Sequence, residues 1–446
     1  MGKGLIISNH TLLSDIYALN LKFYTDSRVI IRKTVDEGLK HLKEPGVRLD
    51  FVVLIQTVED KKALTDFCQF FKNNKINSSL LVCGPVDPIP SNIIFIPSAF
   101  DLKTMIKTLA RLLDVTAKKM IEVSVPDYIP FASRLLEHLV RTPVSLYLKN
   151  GEHYKMEWKV EEELNPEKVA KLINSGTEEI FVQAPHRLRF LNALSSALLV
   201  RLSKEKMNPQ EALSFSEKGM EVVASQLFNQ NSLNEVKELA TVCVEHLDKT
   251  IKEIPNIEKL IKMLLSSNSG YAFMHSVLTA YIAKKVIENL SWGSKEQAEK
   301  VGFVLFYHDL YLVPFYNECP ECIGEKDLLM HSGFSDREKD IILKHALMAA
   351  ELLRQMKQIP IGSDAIVMQH HGTTNGIGFP VECKDDISPL AKVILISEDY
   401  VNYFLANMNS MDQSKASPEV FFAEVHQRYP KSTYKKIINT LQGLSL

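Results

Sequence analysis

The sequence predicts a multi-domain chain: an N-terminal α/β domain, a small α+β module and an all-α helical bundle at the C-terminal end. Three observations lead there. Over roughly the first 120 residues, short apolar runs alternate with amphipathic helical patterns, the signature of a parallel sheet covered on both faces. Further on, Asn150-Gly151 lies between two alternating runs and gives the strongest short-range hairpin signal. From about residue 187 the periodicity is helical, and histidines fall on or at the ends of the core-facing stripes.

The totals agree with this division and remove some functions. A chain of 446 residues exceeds one ordinary core. Its 46% apolar and 24% charged content describes a globular protein, and a net charge of -2 gives no basic footprint for DNA or for a lipid surface. No apolar run approaches the ~20 residues of a membrane span. The start, Met1 to Ile7, lacks a secretory pattern and reads as a first strand. Six cysteines are too few for a disulfide framework in a chain of this size, so a cytoplasmic location is expected. Cys319 and Cys322 form a lone CxxC, expected to be a loop with two free thiols: no second pair completes a zinc site, and Pro320 interrupts a redox-type helix start.

The first domain, residues 1–120, has strands expected at Leu5-Ile6-Ile7, Val29-Ile30-Ile31, Phe51 to Ile55, Leu80 to Cys83 and Ile93 to Ile96. Helical patterns include Ala63 to Phe71 and Leu102 to Leu113. This arrangement resembles the receiver domains of two-component signalling, and Pro97 to Leu102 is similar to the family's Lys-Pro-Phe-Asp segment. The resemblance implies an acidic pair, an acceptor Asp and a Lys for phosphoryl chemistry. At those places stand Ser8-Asn9-His10, Ile55-Gln56 and Ser98. The domain is therefore read as a pseudo-receiver that docks a protein partner or forms a homodimer; an unrelated flavodoxin-like module is the alternative.

Residues 121–205 make the middle module. Val123 to Phe131 reads as extended, Ala132 to Val140 as helix, and Val144 to Leu148 with His153 to Trp158 as a hairpin. Leu164-Asn165-Pro166 opens another helix and Glu179 to Val182 another strand. The module resembles the α+β unit that precedes metal-dependent phosphohydrolase domains in bacterial signalling proteins, with a ligand-sensing or a spacer role.

The last domain, 206–446, carries the chemistry. Six of the thirteen histidines fall between residues 275 and 371. His275 has Leu278, Ile282 and Val286 on its inner face. His308-Asp309 ends the apolar run Val301 to Phe306, and His345 shares a stripe with Ile341, Ile342, Met348 and Leu352. His370 and His371 follow Ile366 and Val367 by four residues each and open the stretch Gly372 to Pro380. A single histidine on an apolar face is usually a satisfied core residue. Five of them plus an Asp would leave too many buried polar groups without partners, and a shared metal centre removes that difficulty.

A lone His, then His-Asp, His, His-His and a final acid, in that order on helices, resembles the HD phosphohydrolase superfamily. His370 to Pro380 resembles the HD-GYP subgroup motif His-His-Glu-x-x-Asp-Gly-x-Gly-Tyr-Pro without a gap, with Asn375 for its Asp and Phe379 for its Tyr. Gly333 to Glu338 leading to His345-Ala346 is similar to the family's helix ending in His-Pro, and the resemblance spans about residues 270–440. It implies metal ligands at His275, His308, Asp309, His345, His370, His371 and one acid, Glu398 or Asp399. Asp309 would bridge two metals, with His308 and Asp309 as the catalytic pair. Some members hold a third metal through an acid four residues before the first His; here that residue is Tyr271, so two divalent ions are expected. Mixed imidazole and carboxylate donors suit Fe or Mn, with Zn as the alternative. Two such ions activate water for in-line attack on phosphorus and neutralise phosphate charge. The family uses this to linearise cyclic di-GMP or cyclic GMP-AMP. Gly376, Gly378, Phe379, Pro380 and Lys392 are the expected substrate contacts, with open backbone N–H groups along the Gly372 to Gly378 loop.

Three departures bear on the activity. The family's Lys, three residues after the Asp of His-Asp, is Leu312; the Glu after the His pair is Gly372; the basic segment beyond the last acid has no counterpart in Leu405 to Ser410, and Lys415 is the first cation there. Each lost charge-assisted phosphate contact costs ~1.5–3 kcal/mol. Three readings follow: a cyclic-dinucleotide phosphodiesterase, a non-catalytic signalling protein that binds a nucleotide or a partner such as a diguanylate cyclase, and a hydrolase of another phosphoester.

Overall fold

A computed structural model of the chain describes residues 2–55, 61–74, 76, 78–84, 93–116, 126–204, 206–228, 233–267, 269–356, 359–380, 386–407 and 418–444. They form two compact units, Met1–Lys218 and Gly219–Leu446.

The first unit begins with β1 (Lys3–Ile7), α1 (Thr11–Thr25), β2 (Arg28–Arg32), α2 (Val35–Leu42), β3 (Phe51–Ile55), α3 (Lys61–Asn73), β4 (Ser79–Cys83), β5 (Ile94–Ile96) and α4 (Leu102–Leu112). The strands pair in parallel in the order β2-β1-β3-β4-β5, the order of a doubly wound flavodoxin-like sheet. Leu5 to Ile7 and Phe51 to Ile55 are buried without alternation, as strands covered on both faces must be. Thr34 caps α2 by accepting from Glu37 N–H, and Asp101 caps α4 by accepting from Thr104 N–H, each satisfying a backbone donor that the helix leaves open.

A second sheet follows. It contains β6 (Tyr128–Ala132), β7 (Leu146–Asn150), β8 (His153–Trp158) and β9 (Glu179–Gln183), antiparallel in the order β6-β9-β7-β8. Gly151 turns the β7–β8 hairpin at φ 62°, a conformation that costs glycine little. α5 (Pro166–Asn174) starts where Asn165 accepts from Glu167 and Lys168 N–H. One expectation needs correction: Ala132 stays in β6, and the helix expected to Val140 is only a 3-10 turn, Ser133–His138. Arg134 in that turn reaches Asp15 of α1 at 2.5 Å, which ties the two sheets of this unit together. The extended lead-in at Val123 to Val125, like Gln56 and Lys415, lies outside the described residues. α6 (Arg187–Leu202) follows, and the division between the units falls inside α7 (Pro209–Phe228).

The second unit is helical: α8 (Leu233–Glu253), α9 (Ile257–Ser266), α10 (Tyr271–Asn289), α11 (Lys295–Tyr307), α12 (Val313–Glu318), α13 (Glu325–Met330), α14 (Asp336–Gln355), α15 (Ser363–Met368), α16 (Pro389–Asn407), α17 (Pro418–Arg428) and α18 (Ser432–Gln442). α10 runs through the core against α11, α16 and α18, with Leu278, Ile282 and Val286 fully buried. α14 starts at a capping box in which Ser335 and Glu338 satisfy each other's backbone donors, and it packs on α15. Among the described residues no helix is long and apolar enough to cross a membrane.

Cys319 and Cys322 are joined in a disulfide, which corrects the expectation of two free thiols. The turn between α12 and α13 brings the two sulfurs together, a juxtaposition that sequence spacing does not decide.

Candidate metal centre

Each expected donor reaches the core of the second unit from a different helix or helix end. His275 sits one turn into α10. His308 is the C-terminal cap of α11, and Asp309 follows it. His345 lies midway along α14, His370 and His371 follow α15, and Glu398 lies on α16. His275, His308, Asp309, His345, His370 and Glu398 are each at most 4% exposed, and His371 is partly exposed.

Three imidazoles are aimed by the same device. The Nδ1 atoms of His308, His345 and His370 lie 2.9, 2.6 and 2.5 Å from the carbonyl oxygens of Leu305, Ile342 and Val367, three residues back in each case. An Nδ1–H that donates to a carbonyl leaves Nε2 as the lone-pair nitrogen, turned into the centre. Asp309 stands in the middle. Its Oδ2 is 3.4 Å from His308 Nε2 and 3.7 Å from His275 Nε2. Its Oδ1 is 3.4 Å from His345 Nε2 and 3.8 Å from His370 Nε2. One carboxylate thus faces four imidazoles, two with each oxygen.

The donors group into sets whose ligand atoms lie within 4.8 Å of one another: Asp309, His345, His370 and His371; His275, His308 and Glu398; and His275, Asp309 and Glu325. The fit to a cation shows in what these atoms lack. Both nitrogens of His275, Nε2 of His308, both oxygens of Asp309 and Oε1 of Glu398 are buried without a hydrogen-bond partner. Such atoms cost several kcal/mol unless something compensates them, and nitrogen and oxygen lone pairs converging at this spacing suit a divalent transition metal.

The electrostatics carry the same strain. Burial pushes His275, His308 and His371 down, His308 to about 3. Burial raises Asp309, but the His308, His345 and His370 imidazoles outweigh it and hold the carboxyl well below its ordinary range. Burial lowers His345, yet Asp309 beside it leaves the imidazole raised. Burial, with Asp309 and Glu325 nearby, keeps Glu398 well above the ordinary glutamate range.

Geometry separates the two candidate acids. Glu398 Oε1 is 3.3 Å from His308 Nε2. Asp399 turns outward, accepting from Arg428 at 3.1 and 3.2 Å and from the Tyr429 hydroxyl at 2.5 Å. Helix phase within an all-apolar stretch could not distinguish them.

The expected substrate contacts are divided in the same way. Phe379 packs its ring against His371, 4.6 Å between centroids, at the exposed edge of the cluster, and Pro380 next to it is half-buried. Gly376 is buried, its carbonyl accepting from Leu347 N–H and its own N–H donating to Thr373 Oγ1. Gly378 N–H donates to Leu343 O, and Ile377 N–H to Asn375 Oδ1. The loop N–H groups of Gly376, Ile377 and Gly378 are therefore occupied, which corrects the expectation of open donors; these glycines lace the loop to α14. Lys392 is buried, with its ammonium 3.5 Å from Thr433 Oγ1 and over the Tyr434 ring. Leu312, which stands where the resemblance would put a phosphate-binding lysine, is fully buried.

Sequence reading missed Glu325. Its carboxylate lies within the donor set of His275 and Asp309, and its Oε1 is 3.8 Å from His371 Nε2. A glutamate in the first turn of a helix is ordinary, so no local pattern marks this one.

No protein-family model matches the chain, and no curated protein matches it. One solved structure is similar, Bd1817, a HDG"Y"P protein from Bdellovibrio bacteriovorus: 14% identity, a TM-score of 0.35, and coverage of 71% of this chain and 100% of that one.

Proposed function

We propose that the C-terminal unit is a metal-dependent phosphodiesterase that opens a cyclic dinucleotide, cyclic di-GMP or cyclic GMP-AMP, to its linear form in bacterial signalling. The observation that carries the reading is Asp309, one buried carboxylate without a hydrogen-bond partner that faces two converging sets of imidazole donors. His275, His308 and Glu398 would hold one divalent ion; His345, His370 and His371 would hold the other; Asp309 would serve both. Such a pair, when bound, supplies an activated water and neutralises phosphate charge. The remaining work belongs to the chain. Leu305, Ile342 and Val367 carbonyls fix three imidazoles, so little reorganisation is needed when substrate arrives. Phe379 offers an aromatic edge beside His371, suited to a nucleobase. The gapless motif from His370 to Pro380 supports the choice of a cyclic dinucleotide.

Purified protein loaded with Mn or Fe and incubated with each dinucleotide should give linear product, absent in His308→Ala. Metal bound with neither dinucleotide turned over would refute the reading. A second reading, binding without hydrolysis, is favoured by Leu312 and by the Lys392 ammonium lying on Thr433 and Tyr434. Tight nucleotide binding by the loaded protein without product, or capture of a diguanylate cyclase, would select it. The N-terminal sheet, with Ser8, Asn9, His10, Ile55 and Ser98 where receivers carry their chemistry, is proposed as the docking or dimerisation module, on the support of its strand order.

A further inference from the structure

We infer that Glu325 is a ligand of the same metal centre, a third carboxylate delivered by α13 that neither the His-Asp nor the His-His motif assigns. The inference rests on the metal-centre reading and deepens it.

Placement comes first. Glu325, His275 and Asp309 offer three donor atoms within 4.8 Å of one another, and Glu325 Oε1 is also 3.8 Å from His371 Nε2. The carboxylate therefore faces a member of each donor set as well as the shared Asp309. Burial comes second. Glu325 is 8% exposed, and among the described residues His371 is its only ion-pair partner. An anion so enclosed is costly without a cation, and the adjacent His275 nitrogens and Asp309 oxygens have no hydrogen-bond partners.

The segment before Glu325 is shaped to deliver it. The Cys319–Cys322 disulfide closes the turn. Gly324 then adopts φ 96°, and a Cβ there would lie 3.7 Å from the Tyr271 hydroxyl. The Tyr271 and Tyr316 rings pack 4.8 Å apart, and the Tyr271 hydroxyl donates to Asn402.

A charge count gives the chemical consequence. Two divalent ions against the carboxylates of Asp309 and Glu398 would leave a surplus of two positive charges; Glu325 would reduce it to one. A third carboxylate also shifts the donor set toward oxygen, which favours Mn over Zn.

The test compares wild type, Glu325→Gln, Glu325→Asp and His308→Ala, each stripped with chelator, reloaded with Mn²⁺ or Zn²⁺, and titrated against a competing chelator with elemental analysis. Loss of even a supporting partner of a metal ligand typically costs ~10–100-fold in affinity. Glu325→Gln should therefore weaken Mn²⁺ binding at least about tenfold and weaken Zn²⁺ less, Glu325→Asp should recover part of the loss, and the metal-free unfolding midpoint should not fall. Wild-type Mn²⁺ affinity and stoichiometry in Glu325→Gln, with His308→Ala impaired, would overturn this inference and leave the metal centre standing. A wild-type chain that takes up no metal would overturn both.

Discussion

Replacing Asp309 by Asn changes almost no volume and removes one charge. The carboxylate faces His275 and His308 with one oxygen and His345 and His370 with the other, at 3.4 to 3.8 Å. An amide keeps one oxygen and presents an NH₂ group with no lone pair on the other side. One cation then loses a donor outright and the other keeps only a neutral one. Two charge-assisted contacts at ~1.5–3 kcal/mol each amount to ~3–6 kcal/mol, or about 10²- to 10⁴-fold in affinity. The assay is Mn²⁺ titration of chelator-stripped Asp309→Asn against a competing chelator, beside wild type, with circular dichroism confirming the fold. Linear dinucleotide production should disappear at the metal concentration that saturates wild type. An Asp309→Asn protein that keeps both ions within about threefold of wild-type affinity would refute the idea of a shared carboxylate.

Other consequences are as direct. Glu398→Gln should lower metal affinity ~10- to 100-fold by removing one charged donor beside His308, whereas Asp399→Asn, which loses only Arg428 and Tyr429, should leave metal binding within about twofold; the reverse ranking would show that the two acids were misassigned. In chelator-stripped protein, burial lowers His275, His308, His370 and His371, while Glu325, at about 7, and Glu398 are raised. Below the ordinary histidine value of about 6.5 these six groups bind up to about two more protons in the unfolded chain than in the folded one, four imidazoles against two carboxyls. At ~1.4 kcal/mol per proton, stability should fall by up to about 3 kcal/mol per pH unit from 6.5 downward. Denaturant melts between pH 6.5 and 5.5 check this, and stability that is unchanged or higher at pH 5.5 contradicts it. Thiol labelling in denaturant without reductant should leave Cys319 and Cys322 unmodified while marking Cys68, Cys83 and Cys243; labelling of Cys319 and Cys322 as well would remove the disulfide.

The sequence made some features legible for reasons that are local. Strand-helix alternation implied a parallel sheet, and Asn150-Gly151 fixed the hairpin register because few residues tolerate that turn. The histidines stood out because imidazoles on apolar stripes conflict with burial unless they meet. What stayed hidden depends on contacts between distant segments. Ala132 reads as helical with Leu135 and Leu136, but its pairing with Glu179 holds it in β6. Glu398 and Asp399 are adjacent, and only the positions of His308 and Arg428 tell them apart. Gly376 and Gly378 look like ligand-cradling glycines, yet their backbone is bonded to α14. Glu325 has no periodic partner, so its place beside His275 and Asp309 emerges only once α13 is folded against α14.

The most direct measurement is anomalous diffraction from crystals of the Mn- or Fe-loaded protein, collected across the metal edge. The account predicts two peaks per chain: one within coordination distance of His345, His370 and His371, the other of His275, His308 and Glu398, with Asp309 reaching both. A single peak away from Asp309, or no peak in fully loaded protein, would contradict it.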